Sequence, residues 1–91
     1  MEITHNARKQ EFIIFRKGYQ AELAYDCSAG NVIDFVHTLV DEGLRGQGVG
    51  QELARAGLDF ARKEHLRVKT SCTFMADFVK RHRDDYADIL A

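Results

Sequence analysis

The sequence predicts an α+β fold on a mixed α/β sheet: an antiparallel meander, then a β-α-β crossover, then a C-terminal helix. Three observations carry that expectation. Strand formers fill much of the first forty residues, with a period of two over Tyr19–Asp26, the period turns helical after a glycine cluster, and proline is absent throughout. At 91 residues, with no internal repeat or linker, the chain reads as a single domain over 1–91.

Residues 2–6 are expected to form a short first strand, and Phe12-Ile13-Ile14-Phe15 a second, rich in strand formers. Lys17-Gly18 supplies a turn. Tyr19, Ala21, Leu23 and Tyr25 then alternate with Gln20, Glu22, Ala24 and Asp26, which reads as a strand with one buried face. Ser28-Ala29-Gly30-Asn31 is the next loop, and Val32 to Val40 a fourth, mostly β-branched and aromatic strand. Val49, Leu53, Ala56, Phe60 and Ala61 follow helical spacing and predict a helix from about Gln47 to about Glu64, apolar on that side. Leu66 to Thr70 is a fifth strand, parallel to 32–40 because a helix intervenes. Phe74, Met75, Phe78, Val79 and His82 predict a second helix ending near Arg83, capped by Ser71 or Thr73. Phe12, Phe15, Phe35, Phe60, Phe74 and Phe78 are expected in the core.

Composition narrows the function. Thirteen Lys and Arg against fourteen Asp and Glu leave a formal charge of −1, without the basic excess that a nucleic-acid binder usually carries. Apolar runs stop at four residues, so no membrane span is expected, and no secretory leader is evident. Cys27 and Cys72 form no C-x-x-C pair and the four histidines are scattered, so no metal site is expected. The chain reads as reduced and cytoplasmic.

Gly43, Gly46, Gly48 and Gly50 fall within eight positions, between a strand and the longest helix. Glycine lets backbone N–H groups approach a ligand closely, and a helix N-terminus adds unpaired donors and a positive dipole end. Arg45 adds a fixed charge suited to phosphate oxygens. Leu44 to Gly50 is therefore a candidate phosphate cradle; the alternative is a tight turn with no ligand. The segment lacks the Gly-Lys-Ser/Thr ending of a nucleotide P-loop, and its glycine spacing departs from the dinucleotide fingerprint.

Val40-Asp41-Glu42-Gly43-Leu44-Arg45-Gly46-Gln47-Gly48-Val49-Gly50 resembles the R/Q-x-x-G-x-G/A signature of the GNAT acetyltransferase superfamily. His37-Thr38, Ser71-Cys72-Thr73-Phe74 and the ending Tyr86-Ala87-Asp88-Ile89-Leu90 are similar to a small subfamily of GNAT-like acetyl-CoA-binding proteins, over essentially the whole chain. The resemblance implies a minimal GNAT fold in which the backbone of Leu44, Arg45, Gly46, Gln47, Gly48, Val49 and Gly50 holds the pyrophosphate of acetyl-CoA. It also implies that Leu39 and Val40 line the pantetheine arm, and that the acetyl group passes to an amine. The chain is shorter than most members, lacking the two helices that usually wall the acceptor site between the first two strands. That departure implies an open site suited to a bulky acceptor. It also keeps a second function class in view, a non-catalytic acetyl-CoA-binding sensor or carrier.

Cys72 is the first candidate for chemistry. It falls between a strand and a helix, where the resemblance places the thioester, and it could accept the acetyl group or protonate the departing coenzyme. A small apolar side chain packed between sheet and helix is the plainer reading. His37 is a candidate base, on the same side of its strand as Leu39, against a plain hydrogen-bonded histidine. Asp34 reads as a solvated carboxylate, Cys27 as structural, and Tyr86 as part of a C-terminal tail. Lys80-Arg81-His82-Arg83 could meet the 3′-phosphate of coenzyme A, though a solvated helix end is the commoner explanation.

Overall fold

The computed structural model describes residues 3–28 and 30–91; Glu2 and Ala29, assigned above to the first strand and to a loop, lie outside them. Five strands form one sheet in chain order: β1 (Ile3–Asn6), β2 (Glu11–Arg16), β3 (Tyr19–Asp26), β4 (Val32–Val40) and β5 (Arg67–Thr70). The first four pair antiparallel, and β4 pairs parallel with β5, as the crossover requires. The expected α+β architecture is thus present.

Phe12, Ile14, Ala21, Leu23, Tyr25, Ile33, Phe35 and Val68 point to the buried face of the sheet. Helix α1 (Val49–Lys63) packs on them through Val49, Leu53, Ala54, Gly57, Leu58 and Ala61. The buried stripe is therefore centred differently from the expected one: Ala54, Gly57 and Leu58 are inside, whereas Ala56 and Phe60 are only half-buried. Gly57 is the point of closest approach, since a Cβ there would stand 2.7 Å from Phe35 and 2.9 Å from Leu23. The helix starts two residues later than expected, because Gly48 at φ 74° is its N-cap and not part of its first turn.

Helix α2 (Thr73–Arg81) packs beside α1 and against β4 and β5, burying Met75, Phe78 and Val79. Neither Ser71 nor Thr73 caps it; the N-cap is Cys72, and Ser71 instead donates to Asp34. At His82 the backbone leaves helical geometry, and the four-residue α3 (Arg83–Tyr86) follows. Tyr86 thus ends a helix and is buried, where a tail position was expected. The chain closes as Leu90 bridges Val68 on the free edge of β5.

A bulge interrupts the β3–β4 register. Tyr25 faces Phe35, but Ala24 faces His37, so Val36 is the extra residue. Inward alternation consequently switches from Ile33 and Phe35 to Thr38 and Val40, the partners of buried Leu23 and Ala21. His37 and Leu39 share the opposite face, as their spacing implied. That face is uncovered: Phe15 is 62% exposed, Leu39 52% and Val36 42%. Phe15 and Phe74 are corrected from core to surface, Phe74 being 38% exposed.

Candidate functional site

β4 and β5 stay paired only from Val32↔Arg67 to Phe35↔Thr70. Beyond that point β4 runs on to Val40, while the other chain turns into α2. The amide of Cys72 donates to the Phe35 carbonyl at 2.8 Å, and beyond it the two segments diverge. Thr38 Oγ1 and Cys72 Sγ face each other across the opening at 3.3 Å. Further along lies a cleft of about 280 Å³, walled by Val40, Phe74 and the Leu44–Gln51 loop.

The loop is held by its own side chains. Asp41 accepts from the amide of Gly43 at 3.0 Å, opening a 3₁₀ turn over Glu42–Leu44. The Gln47 amide nitrogen donates to the Gly43 carbonyl at 3.1 Å, and Leu44 is wholly buried, pinning the turn to the core. A Cβ on Gly43 would meet the Tyr19 ring at 2.5 Å, and one on Gly50 would meet Phe74 at 2.9 Å. Gly46 and Gly48 are glycine for another reason: they sit at φ 77° and 74° in open space.

Two of the expected backbone donors are spent internally, Leu44 on the Asp41 carbonyl and Arg45 on that of Glu42. From Gly46 to Gln51 no backbone amide has an acceptor among the described residues, and the first helical bond runs from Glu52 to Gly48. These free N–H groups meet the positive end of α1 at the head of the cleft. Glu52, an acid in that first turn, is neutralised by Arg16, whose guanidinium donates to both carboxylate oxygens at 3.0 and 3.1 Å. The Arg45 side chain borders both this cleft and a second one that runs over Leu39 to Glu22.

The site residues expected from sequence therefore separate by face. Val40 lines the cleft together with the loop, whereas Cys72 meets Thr38 outside its lining, each two residues before a cleft wall, Phe74 and Val40. Leu39 and His37 lie on the uncovered face of the sheet. Asp34 accepts from the Ser71 amide at 3.0 Å and hydroxyl at 2.8 Å, so it ties β4 to the turn before Cys72. Both cysteines are free, and burial followed by the nearby Asp26 pushes the Cys27 thiol up. Sequence reasoning missed Thr38, because only the bulge turns it toward Cys72. It also missed Asp41, although an aspartate two residues before a glycine is an Asx-turn signal.

A mixed sheet whose parallel strands part beside a glycine-rich helix N-terminus defines an acyltransferase fold of the GNAT class. The family model for GCN5-related N-acetyltransferases matches residues 11–89, and the chain belongs to that family. Protein NATD1 of Bos taurus is 32% identical over 84 residues, spanning 90% of this chain and 74% of its own length. Its Homo sapiens counterpart is 30% identical over the same shares. The NMR solution structure of a GCN5-like protein from Staphylococcus aureus superposes with a TM-score of 0.74 at 32% identity, covering 99% of this chain and 87% of that one.

Proposed function

We propose that the protein binds acetyl-CoA in the cleft between β4 and α2 and transfers the acetyl group to an amine presented from the uncovered sheet face. The observation that carries this reading is the row of acceptor-free backbone amides from Gly46 to Gln51, standing over a cleft whose walls Val40 and Phe74 lie two residues along the chain from the facing pair Thr38 and Cys72. The amides and Arg45 would bind the pyrophosphate, and Val40 and Phe74 would flank the pantetheine arm. Acetyl transfer then needs a neutral amine, a donor to the tetrahedral oxyanion, and a proton for the departing thiolate.

Cys72, two residues before Phe74 of the cleft wall, would protonate that thiolate, or would take the acetyl group itself while its proton leaves with coenzyme A. In the first route Cys72 is left as a thiolate and regains its proton from solvent; in the second, attack of the amine on the acetyl thioester releases the sulfur as a thiolate, which is likewise reprotonated from solvent. His37, on the acceptor side, would take the proton from the attacking amine. Membership of an acyltransferase family favours catalysis over a purely coenzyme-binding module.

The test is a calorimetric titration with acetyl-CoA and, separately, with coenzyme A. Saturable one-to-one binding that Gly48→Glu weakens at least tenfold is expected, because a carboxylate would stand among the amides. Absence of heat at two temperatures would leave the glycines as a turn only. Intact-mass spectrometry after mixing with acetyl-CoA then separates the two roles of Cys72: an added acetyl lost in Cys72→Ala marks a covalent carrier.

A further inference from the structure

The far end of α2 carries Lys80, Arg81 and His82, a basic run that the proposed transfer chemistry does not use. A cleft of about 120 Å³ opens beside it, lined by Gln51, Phe74, Asp77, Phe78, Arg81 and His82. Gln51 and Phe74 also line the loop cleft, so the two spaces adjoin, with the Phe74 ring at their border. Arg81 is exposed and has no hydrogen-bond or ion-pair partner among the described residues, whereas Arg62 and Arg67 each hold the C-terminal segment. His82 is kept in place by its ring, 4.4 Å from Phe78, and the Arg55 guanidinium lies over that same phenyl ring at 5.3 Å. Two basic side chains, Arg81 and His82, thus line one small opening against the single carboxylate of Asp77, with a third cation, Arg55, on the ring of its Phe78 wall.

We infer that Arg81, assisted by His82, binds the 3′-phosphate of the coenzyme and makes the protein select coenzyme A over its 3′-dephospho form. The inference rests on the cofactor reading above. In coenzyme A the ribose carries the pyrophosphate on one carbon and the extra phosphate two carbons away, so the two anions are one sugar apart. With the pyrophosphate on the Gly46–Gln51 amides, the ribose has to leave the loop cleft, and the neighbouring opening past Gln51 and Phe74 is where an arginine stands free. That opening is sized for a phosphate group, not for a nucleoside. A guanidinium offers several donors to phosphate oxygens, and its hydrogen bonds to an anion are about twice as strong as neutral ones.

Calorimetric titration of the intact protein with coenzyme A and with 3′-dephospho-coenzyme A tests this. The parent is expected to bind coenzyme A about tenfold more tightly, the effect of one charge-assisted contact at a partly wet site. Arg81→Ala is expected to abolish that preference while leaving the dephospho ligand within about twofold, and Arg81→Lys to restore part of it. Because Arg81 is exposed, its replacement leaves the core untouched. Equal affinity of the parent for the two ligands overturns the inference, and so does equal weakening of both by Arg81→Ala. If the parent binds neither, the cofactor reading itself falls and takes the subsite with it.

Discussion

His5 lies flat on Phe12, with ring centroids 4.3 Å apart, and edge-on to Phe60 at 4.5 Å. Its Nε2 is 2.5 Å from the Tyr25 hydroxyl. An imidazole enclosed by three aromatic rings loses water, and that desolvation lowers its pKa below the ordinary 6.5. The sign of the consequence follows from linkage. Below pH 6.5 the unfolded chain takes up a proton at this site that the folded chain refuses, so the stability contribution is complete above 6.5 and is lost as pH falls through the lowered value. Urea midpoints at pH 7.5 and pH 5.5 should differ more for the parent than for His5→Gln; an unchanged difference would show that other groups carry the acid sensitivity. A second consequence concerns the thiols. With Cys27 pushed up by burial and by Asp26, its alkylation in Cys72→Ala at pH 8 should be slower than that of an unstructured cysteine.

Two glycines of helix α1, one at its N-cap and one in its middle, resist substitution for opposite reasons. At Gly48 a side chain would find open space but an unfavourable φ of 74°, so Gly48→Ala should cost about 1 kcal/mol, a loss of roughly 4–8 °C in Tm. At Gly57 the φ is ordinary and the space is taken by buried Phe35 and Leu23. Neither can yield far, so Gly57→Ala should cost about 1–3 kcal/mol despite its better helix propensity. Thermal melts of the two variants check both, and a Gly57→Ala chain as stable as its parent would mean that the helix can ride further from the sheet.

The same helix shows what sequence carries and what it does not. Its amphipathic spacing, the parallel return at β5 and the glycine run were all legible, since each depends on local period or composition. The centre of its buried stripe was not, because a glycine counts as nothing in a hydrophobic pattern yet Gly57 marks the closest approach of this helix to the sheet. Nor was the cap of α2: Ser71 has a capping side chain, but Asp34, remote in sequence, takes its hydroxyl.

At the scale of the molecule, the asymmetry of the sheet governs the proposed acceptor. The cross-strand row Ile13, Glu22 and Leu39, with Phe15 beside it and the row Glu11, Ala24 and His37 below, forms a surface that no described helix covers. Alternation in the sequence could show that strands have two faces but not that one would stay bare, and it placed Phe15 inside. Apolar side chains interspersed with Glu11 and Glu22 suit an extended cationic segment better than a small neutral amine, since carboxylates attract the charge while Phe15 and Leu39 take apolar contacts. Phe15 loses little on replacement because it is 62% exposed, so Phe15→Ser should keep stability within about 0.5 kcal/mol and leave the acetyl-CoA Kd unchanged. With a lysine-containing peptide as acceptor its KM should rise severalfold, whereas a small amine should be turned over as before. A peptide KM that stays fixed, with binding of the coenzyme intact, would move the acceptor off this face and return the missing wall of the site to some other surface.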